Sequence, residues 1–390
     1  MTDMLPWIFW LSLAVVVGTY GVYPLVLGVC SRLWSNPWHT SRGPWPEVSV
    51  ILAARNEQSR IAARVQEIVE HLQASQIPGQ VIVVSDGSTD DTVGRVAQLA
   101  IPNVTVCRLA DHVGKAEALN HGFRRATGEI LILTDVRQTW EPGAAERLLE
   151  NFADARVGAV SGDLVLEESN GTLEGVGLYW RLEKWMRGRE SRLHSCVGVS
   201  GALCAVRRQL FCEIPRGTLL DDVYWPLRVA MQGFRVVHDA RARFRDRLPP
   251  RSRDEFRRKV RTLSGNFQLL TRLPTALLPW RNPLWIPFLF HKLARLACPW
   301  ALLTLAVVSI ALHGPWYRSV LLVQSACYGL AILGCIPTIA ERNRLASAAA
   351  SFVLLNTACF LAFWVWLLGK SSGTWRTVGY DRQSTSVSRS

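Results

Sequence analysis

Apolar residues along this chain gather into two blocks, separated by a long stretch in which apolar and polar positions alternate. The first block, Trp7 to Cys30, holds no charged residue and is about the 20 residues that cross a bilayer, with aromatics near both ends. Met1 to Pro6 has no Lys or Arg and Asp3 is acidic, so residues 1–31 read as an uncleaved transmembrane anchor rather than a signal peptide. The second block follows Pro283. Residues 283–297 mix Trp285, Phe288, Phe290 and Leu293 with His291, Lys292 and Arg295, which suits a helix lying in the membrane interface; a buried amphipathic helix is the other reading. Residues 298–369 then offer three spans, near Cys298 to Leu312, Val320 to Ala340 and Ala346 to Leu368, and 370–390 is a polar, basic tail.

Between the blocks, residues 42–273 carry repeated strand, loop and helix signals. Val48 to Ala53 is a β-branched run that ends at Arg55, Asn56 and Glu57 and leads into a helical pattern from Ile61 to His71. Val81 to Val84 closes on Ser85, Asp86, Gly87 and Ser88, after which Thr92 to Leu99 returns to helical spacing. Glu129 to Leu133 ends at Thr134 and Asp135. Apolar strands followed by polar loops predict an α/β domain with a mostly parallel, doubly wound sheet, in which ligands bind at the carboxyl ends of the strands. The three loops then converge on one crevice. Their carboxylates suit a base edge, a ribose or a metal, and their amides and hydroxyls suit phosphate.

Composition adjusts this picture. The 390 residues are 49% hydrophobic and carry a formal charge of +13, most of it in the middle of the chain. The positive-inside rule places that part in the cytosol, and basic flanks suit anionic lipid. The charge accompanies apolar spans and no nucleic-acid-binding motif, so no nucleic-acid partner is expected. One span before the domain and three after it would leave the basic tail outside, a conflict of parity. The nine cysteines form no CxxC pair and no Cys/His set at zinc spacing, and read as free, mostly buried thiols.

The segments VSVILAARNE, SDGSTDDT, GKAEALNHG and ILILTDVRQTW follow the order seen in family 2 glycosyltransferases, the group with cellulose, chitin, hyaluronan and poly-N-acetylglucosamine synthases. The chain resembles that family from about Val48 to Gln268. The resemblance implies a GT-A, Rossmann-like domain that takes a sugar from a nucleotide-diphosphate sugar of the UDP-sugar class. It also implies that Asp86 bonds the donor's base with Ala53, Arg55 and Glu57 nearby, and that Lys115, in the segment with Gly114 and Asn120, offers a charge to the diphosphate. Asp135 matches the first carboxylate of the family's DxD, which holds Mg²⁺ or Mn²⁺. The second carboxylate position is Arg137, which weakens the metal expectation; its guanidinium suits a diphosphate or a structural ion pair.

Inverting transfer needs a general base opposite the leaving nucleotide. Asp221 and Asp222 stand where related enzymes carry their Glu-Asp motif, which implies Asp222 as base and Asp221 as its orienting partner; two acids capping a helix is the plainer reading. Val199 to Arg207 resembles the acceptor-lining segment, with room for a sugar at Gly201 and Ala202. Phe256 to Gln268 resembles the Q-x-x-R-W segment, putting Arg258 and Arg261 toward the donor diphosphate, whereas a solvated or lipid-facing helix side is the alternative for this basic cluster. Thr262 replaces the tryptophan whose flat face would carry the acceptor sugar. The expected activity is transfer to a polysaccharide acceptor at the membrane, with a lipid acceptor as the alternative and an inactive nucleotide-sugar sensor behind both. Few polar residues line the terminal spans, so export of a polymer would call on a homo-oligomer or a partner.

Overall fold

The computed structural model describes residues 4–167, 174–247 and 252–370. Helices α1 (Leu5–Val17) and α2 (Tyr23–Leu33) join through a π-helical turn into one rod, Leu5–Leu33. After it come β1 (Val48–Ala54), α3 (Ile61–Ala74), β2 (Gly79–Asp86), α4 (Thr92–Ala97), β3 (Val104–Leu109), α5 (Lys115–Phe123) and β4 (Ile130–Thr134). The chain continues through β5 (Thr139–Trp140), α6 (Ala144–Glu150), β6 (Val157–Glu167), α7 (Glu174–Leu193), β7 (Leu203–Arg207), α8 (Asp221–Met231), β8 (Arg235–Arg247) and α9 (Ser252–Arg272).

The strands form one eight-stranded sheet in the order β3-β2-β1-β4-β7-β6-β8-β5. The expected strands are present as β1, β2 and β4, and β1 lies between the other two in parallel register, with Ile51 opposite both Ile82 and Leu133. Alternation fixes the two faces. Ile51, Ala53, Ile82, Val84, Leu131 and Leu133 join the core under α5 and α8. Val50, Leu52, Val81, Val83, Ile130 and Ile132 join the core under α3 and α6. The sheet is mostly parallel, with two reversed strands: β7 runs antiparallel to both β4 and β6, and the edge strand β5 antiparallel to β8. The reversal at β7 brings the end of α7 and the 194–202 segment back to the carboxyl edge of β4.

The membrane block differs from expectation in two respects. Residues 285–297 are no separate interfacial helix: α10 (Trp285–Pro287), a π-helical stretch and α11 (Ala294–Ala311) make one helix, Trp285–Ala311. The polar residues that suggested an interface are turned inward, with His291 only 1% exposed. Second, three described helices are long and apolar enough to cross a bilayer, Leu5–Leu33, Trp285–Ala311 and Arg344–Leu367 (α14), so two lie after the sheet. The span expected at Val320 to Ala340 is cut into α12 (Pro315–Gly334) and the short α13 (Pro337–Arg342). Pro337 forces Ile336 into extended backbone and ends the helix. Leu25, Val26, Val307 and Ile310 on the long helices lie open, as do Trp7 and Trp34 near the ends of the first, an outward apolar surface with aromatic margins. The expected tail, 370–390, lies outside the described residues but for Lys370.

Candidate active site

The loop after β1 begins at Arg55, and Asn56 sits at φ 53. Its amide oxygen accepts from Thr89 N at 2.9 Å, and its own backbone N–H donates to Ser88 Oγ at 3.2 Å. The first and second expected loops are thereby bound together. Ala53 is 1% exposed, its side chain packed in the sheet's core one residue before β1 ends. Glu57 is buried beside this loop, its backbone N–H donating to Thr92 Oγ1 at 2.9 Å. Burial raises its pKa, with Arg60 and Arg137 opposing.

Asp86 closes β2. Its carboxylate accepts from Val113 N at 2.7 Å and Gly114 N at 3.0 Å, and meets His112 Nδ1 at 2.7 Å. These contacts hold the turn that launches α5. Gly114 takes φ 94 there, a conformation in which a side chain would be strained. Lys115, the first residue of α5, points at the carboxyl end of β4. Its Nζ lies 2.7 Å from Asp135 Oδ1, 3.3 Å from Gly201 O and 4.0 Å from Asp221 Oδ2.

Asp135 is supported from behind by Arg64, 3% exposed, whose Nε donates to the Asp135 carbonyl at 3.3 Å and whose Nη2 donates to Thr134 Oγ1 at 2.9 Å. Thr134 Oγ1 donates in turn to the Ala202 carbonyl at 2.9 Å, tying the end of β4 to the segment before β7. Arg137 is half-buried and its charge acts on Glu57.

Asp221 and Asp222 open α8, where the helix dipole favours acids. The Asp222 carbonyl accepts from Val199 N at 2.9 Å, so the segment before β7 and the acids share a backbone bond. A Cβ at Gly201 would stand 3.3 Å from Lys115 Nζ and 3.4 Å from Asp222 Cβ, so a larger residue there would press on the lysine that reaches Asp135. Burial and the neighbouring Asp221 push the Asp222 pKa up to about 6, against the pull of Lys115, Arg187 and Lys292. Burial likewise raises Asp221. For Lys115, burial favours the neutral amine, yet Asp135, Asp221 and Asp222 hold its pKa above the usual value.

The structure therefore brings Lys115, Asp135, Gly201, Asp221 and Asp222 into one cluster, with Arg261 of α9 facing the two acids. Arg258 is instead tied to Glu255 within α9 at 2.8 Å, and Thr262 is exposed on that helix. Sequence reading missed Arg64, His112 and Arg187. Each belongs to an ordinary-looking helix or turn and becomes significant only through residues distant in sequence. The side chains at Asp135 suit a divalent ion poorly: the carboxylate is paired with Lys115 at 2.7 Å, and Arg137 stands at the second acid's position.

Residues 139–367, more than half of the chain, match the family described as Glycosyl transferase family group 2, and residues 49–214 match Glycosyl transferase family 2. Fold and site thus meet in one class, and the chain belongs to glycosyl transferase family group 2. Among curated proteins, poly-beta-1,6-N-acetyl-D-glucosamine synthase of Staphylococcus aureus is 20% identical over 232 residues, covering 58% of this chain and 56% of that protein. The chain therefore matches little more than half the length of that relative. An uncharacterized glycosyltransferase of Nostoc is 25% identical over 126 residues, covering 32% of this chain and 38% of its own. Among solved structures, the mannosyltransferase PcManGT from Pyrobaculum calidifontis, determined with GDP-Man and Mn²⁺, superposes with TM-score 0.67 at 23% identity, covering 93% of this chain and 99% of its own. That likeness extends through the apolar helices and concerns the fold.

Proposed function

We propose that the protein is an inverting, membrane-integral glycosyltransferase that moves a sugar from a nucleoside-diphosphate donor, of the UDP-sugar class, to a polysaccharide acceptor at the membrane. The observation that carries this is the 4.0 Å approach of Lys115 Nζ to Asp221 Oδ2, because it joins the donor loops to the acids at the start of α8. Asp222 takes the proton of the acceptor hydroxyl. The freed oxygen forms a bond to the anomeric carbon as the bond from that carbon to the diphosphate oxygen breaks, inverting the centre. Lys115 and Arg261 offset the charge that develops on the departing diphosphate, and the donor's base lies toward Asp86. Gly201 and Ala202 leave room for the acceptor.

The catalytic domain faces the cytosol, where nucleotide sugars are made. With two spans after it, the basic tail shares that side, as its charge favours. A second reading, transfer of one sugar to a lipid acceptor, is favoured by one observation: the exposed position where a processive synthase would present an aromatic platform is Thr262. Incubating the purified full-length protein with radiolabelled UDP- and GDP-sugars and membrane lipid, then sizing the products, tests both. Labelled polymer supports the first reading and a single-sugar glycolipid the second. If donor is bound but neither product forms, transfer itself is refuted.

A further inference from the structure

We infer that this protein holds the donor diphosphate with its own cations, Lys115 and Arg137, where a divalent ion would otherwise be needed. The inference rests on the donor-site reading above and concerns how that site is charged. Lys115 Nζ is 2.7 Å from Asp135 Oδ1 and is also held by the Gly201 carbonyl at 3.3 Å, so an ammonium sits at the one carboxylate that would anchor a metal. Two residues on, the second carboxylate is replaced by Arg137. One acid and one guanidinium carry the same net charge as two acids holding one divalent ion. The diphosphate therefore meets the same local charge without the ion.

The chemistry of the two cations fits the task. A guanidinium presents a planar fork of donors to phosphate oxygens, and an ammonium serves as a compact point charge. Both stand on elements fixed from below. Arg64 pins the Asp135 carbonyl at 3.3 Å, and the Asp86 carboxylate pins the turn before Lys115 through Val113 N and Gly114 N. Such prepositioning stabilises a developing charge without reorganisation at the moment of transfer.

The test is equilibrium binding of UDP and GDP to the full-length protein in detergent, by calorimetry, with EDTA and then with Mn²⁺. Affinity for the preferred nucleotide should agree within about threefold between the two conditions. Arg137→Asp, which restores the acid, should lose about tenfold or more in EDTA and recover with Mn²⁺, since two carboxylates then suit the ion. Wild-type binding that requires Mn²⁺ overturns the inference and leaves the donor site standing. Absence of nucleotide binding in both conditions overturns the donor-site reading and this inference with it. The wild-type comparison decides the matter even where Arg137→Asp fails to fold.

Discussion

Asn120 and Ile214 are locked together by two hydrogen bonds: the side-chain amide donates to the Ile214 carbonyl at 2.8 Å and accepts from the Ile214 N–H at 2.9 Å. Asn120 sits on α5, five residues after Lys115, and Ile214 begins the loop that ends at Asp221. The pair thus sets the distance between Lys115 and the acids. Asn120→Ala leaves two buried backbone groups unpaired and should cost about 1–3 kcal/mol. A fall in the thermal midpoint, with a larger fall in transfer rate, is the expected result.

Asp222 has two pH signatures of opposite sign. In the proposed role of base it must be ionised, so activity should rise with pH through about 6 and be lost below it. For stability, the folded carboxyl holds its proton more tightly than the unfolded one. Its contribution is therefore full below the ordinary value of 3.8 and declines as pH rises through about 6. Asp222→Asn should abolish transfer by about a hundredfold or more while flattening that decline. A rate profile and a set of melting curves across the same pH range check both.

Gly265 is where α9 passes closest to the acids' loop. A Cβ there would fall 2.6 Å from Leu220 Cγ and 3.0 Å from Leu219 Cβ, immediately before Asp221. Gly265→Ala should push Leu219 and Leu220 aside, at about 1–3 kcal/mol of overpacking, and shift the start of α8. Transfer should fall while nucleotide binding by the wild-type loops remains, and a steady transfer rate would refute the coupling.

His291 is held between two acids, Nδ1 at 2.7 Å from Glu190 Oε1 and Nε2 at 2.9 Å from Glu183 Oε1. Tyr23 OH donates to Glu190 as well, at 2.6 Å, so α2, α7 and the helix Trp285–Ala311 meet at one buried polar seam. Arg295 adds an ion pair to Glu183 at 3.0 Å. Removing the imidazole leaves buried acids short of a partner, and His291→Ala should destabilise by about 3–5 kcal/mol. Unfolding in detergent measures it; a change under about 1 kcal/mol would show that water or Arg295 replaces the ring.

Much of this was legible in the sequence, and the limits have physical causes. Strands β1, β2 and β4 are buried on both faces, so their apolar runs stand out, and the polar loops after them mark the crevice. β3 escaped notice because it is an edge strand whose side chains are largely half-exposed, which leaves no continuous apolar run. His291, Lys292 and Arg295 looked interfacial because their acidic partners lie on α7, 101 residues earlier for Glu190, and spacing along one helix cannot reveal a partner on another. Asp221 and Asp222 were visible as adjacent acids, but Lys115's position between them and Asp135 needed the sheet to bring β4 and α5 together. Arg258 looked equivalent to Arg261, and only the turn of α9 separates the one tied to Glu255 from the one facing the acids.

Helix α9, which carries Arg261, is clasped by the last long helix: Ser264 Oγ donates to the Ala362 carbonyl at 2.9 Å, and the rings of Phe267 and Trp366 stack with centroids 5.7 Å apart. These contacts bridge 98 residues in the case of Ser264, so during synthesis α9 is complete long before its clasp exists. The wall of the crevice that carries Arg261 is consequently the last part to be finished, and it is finished by insertion of α14. A chain stopped before Arg344 should bind nucleotide yet transfer nothing, which would make membrane assembly the step that arms the enzyme.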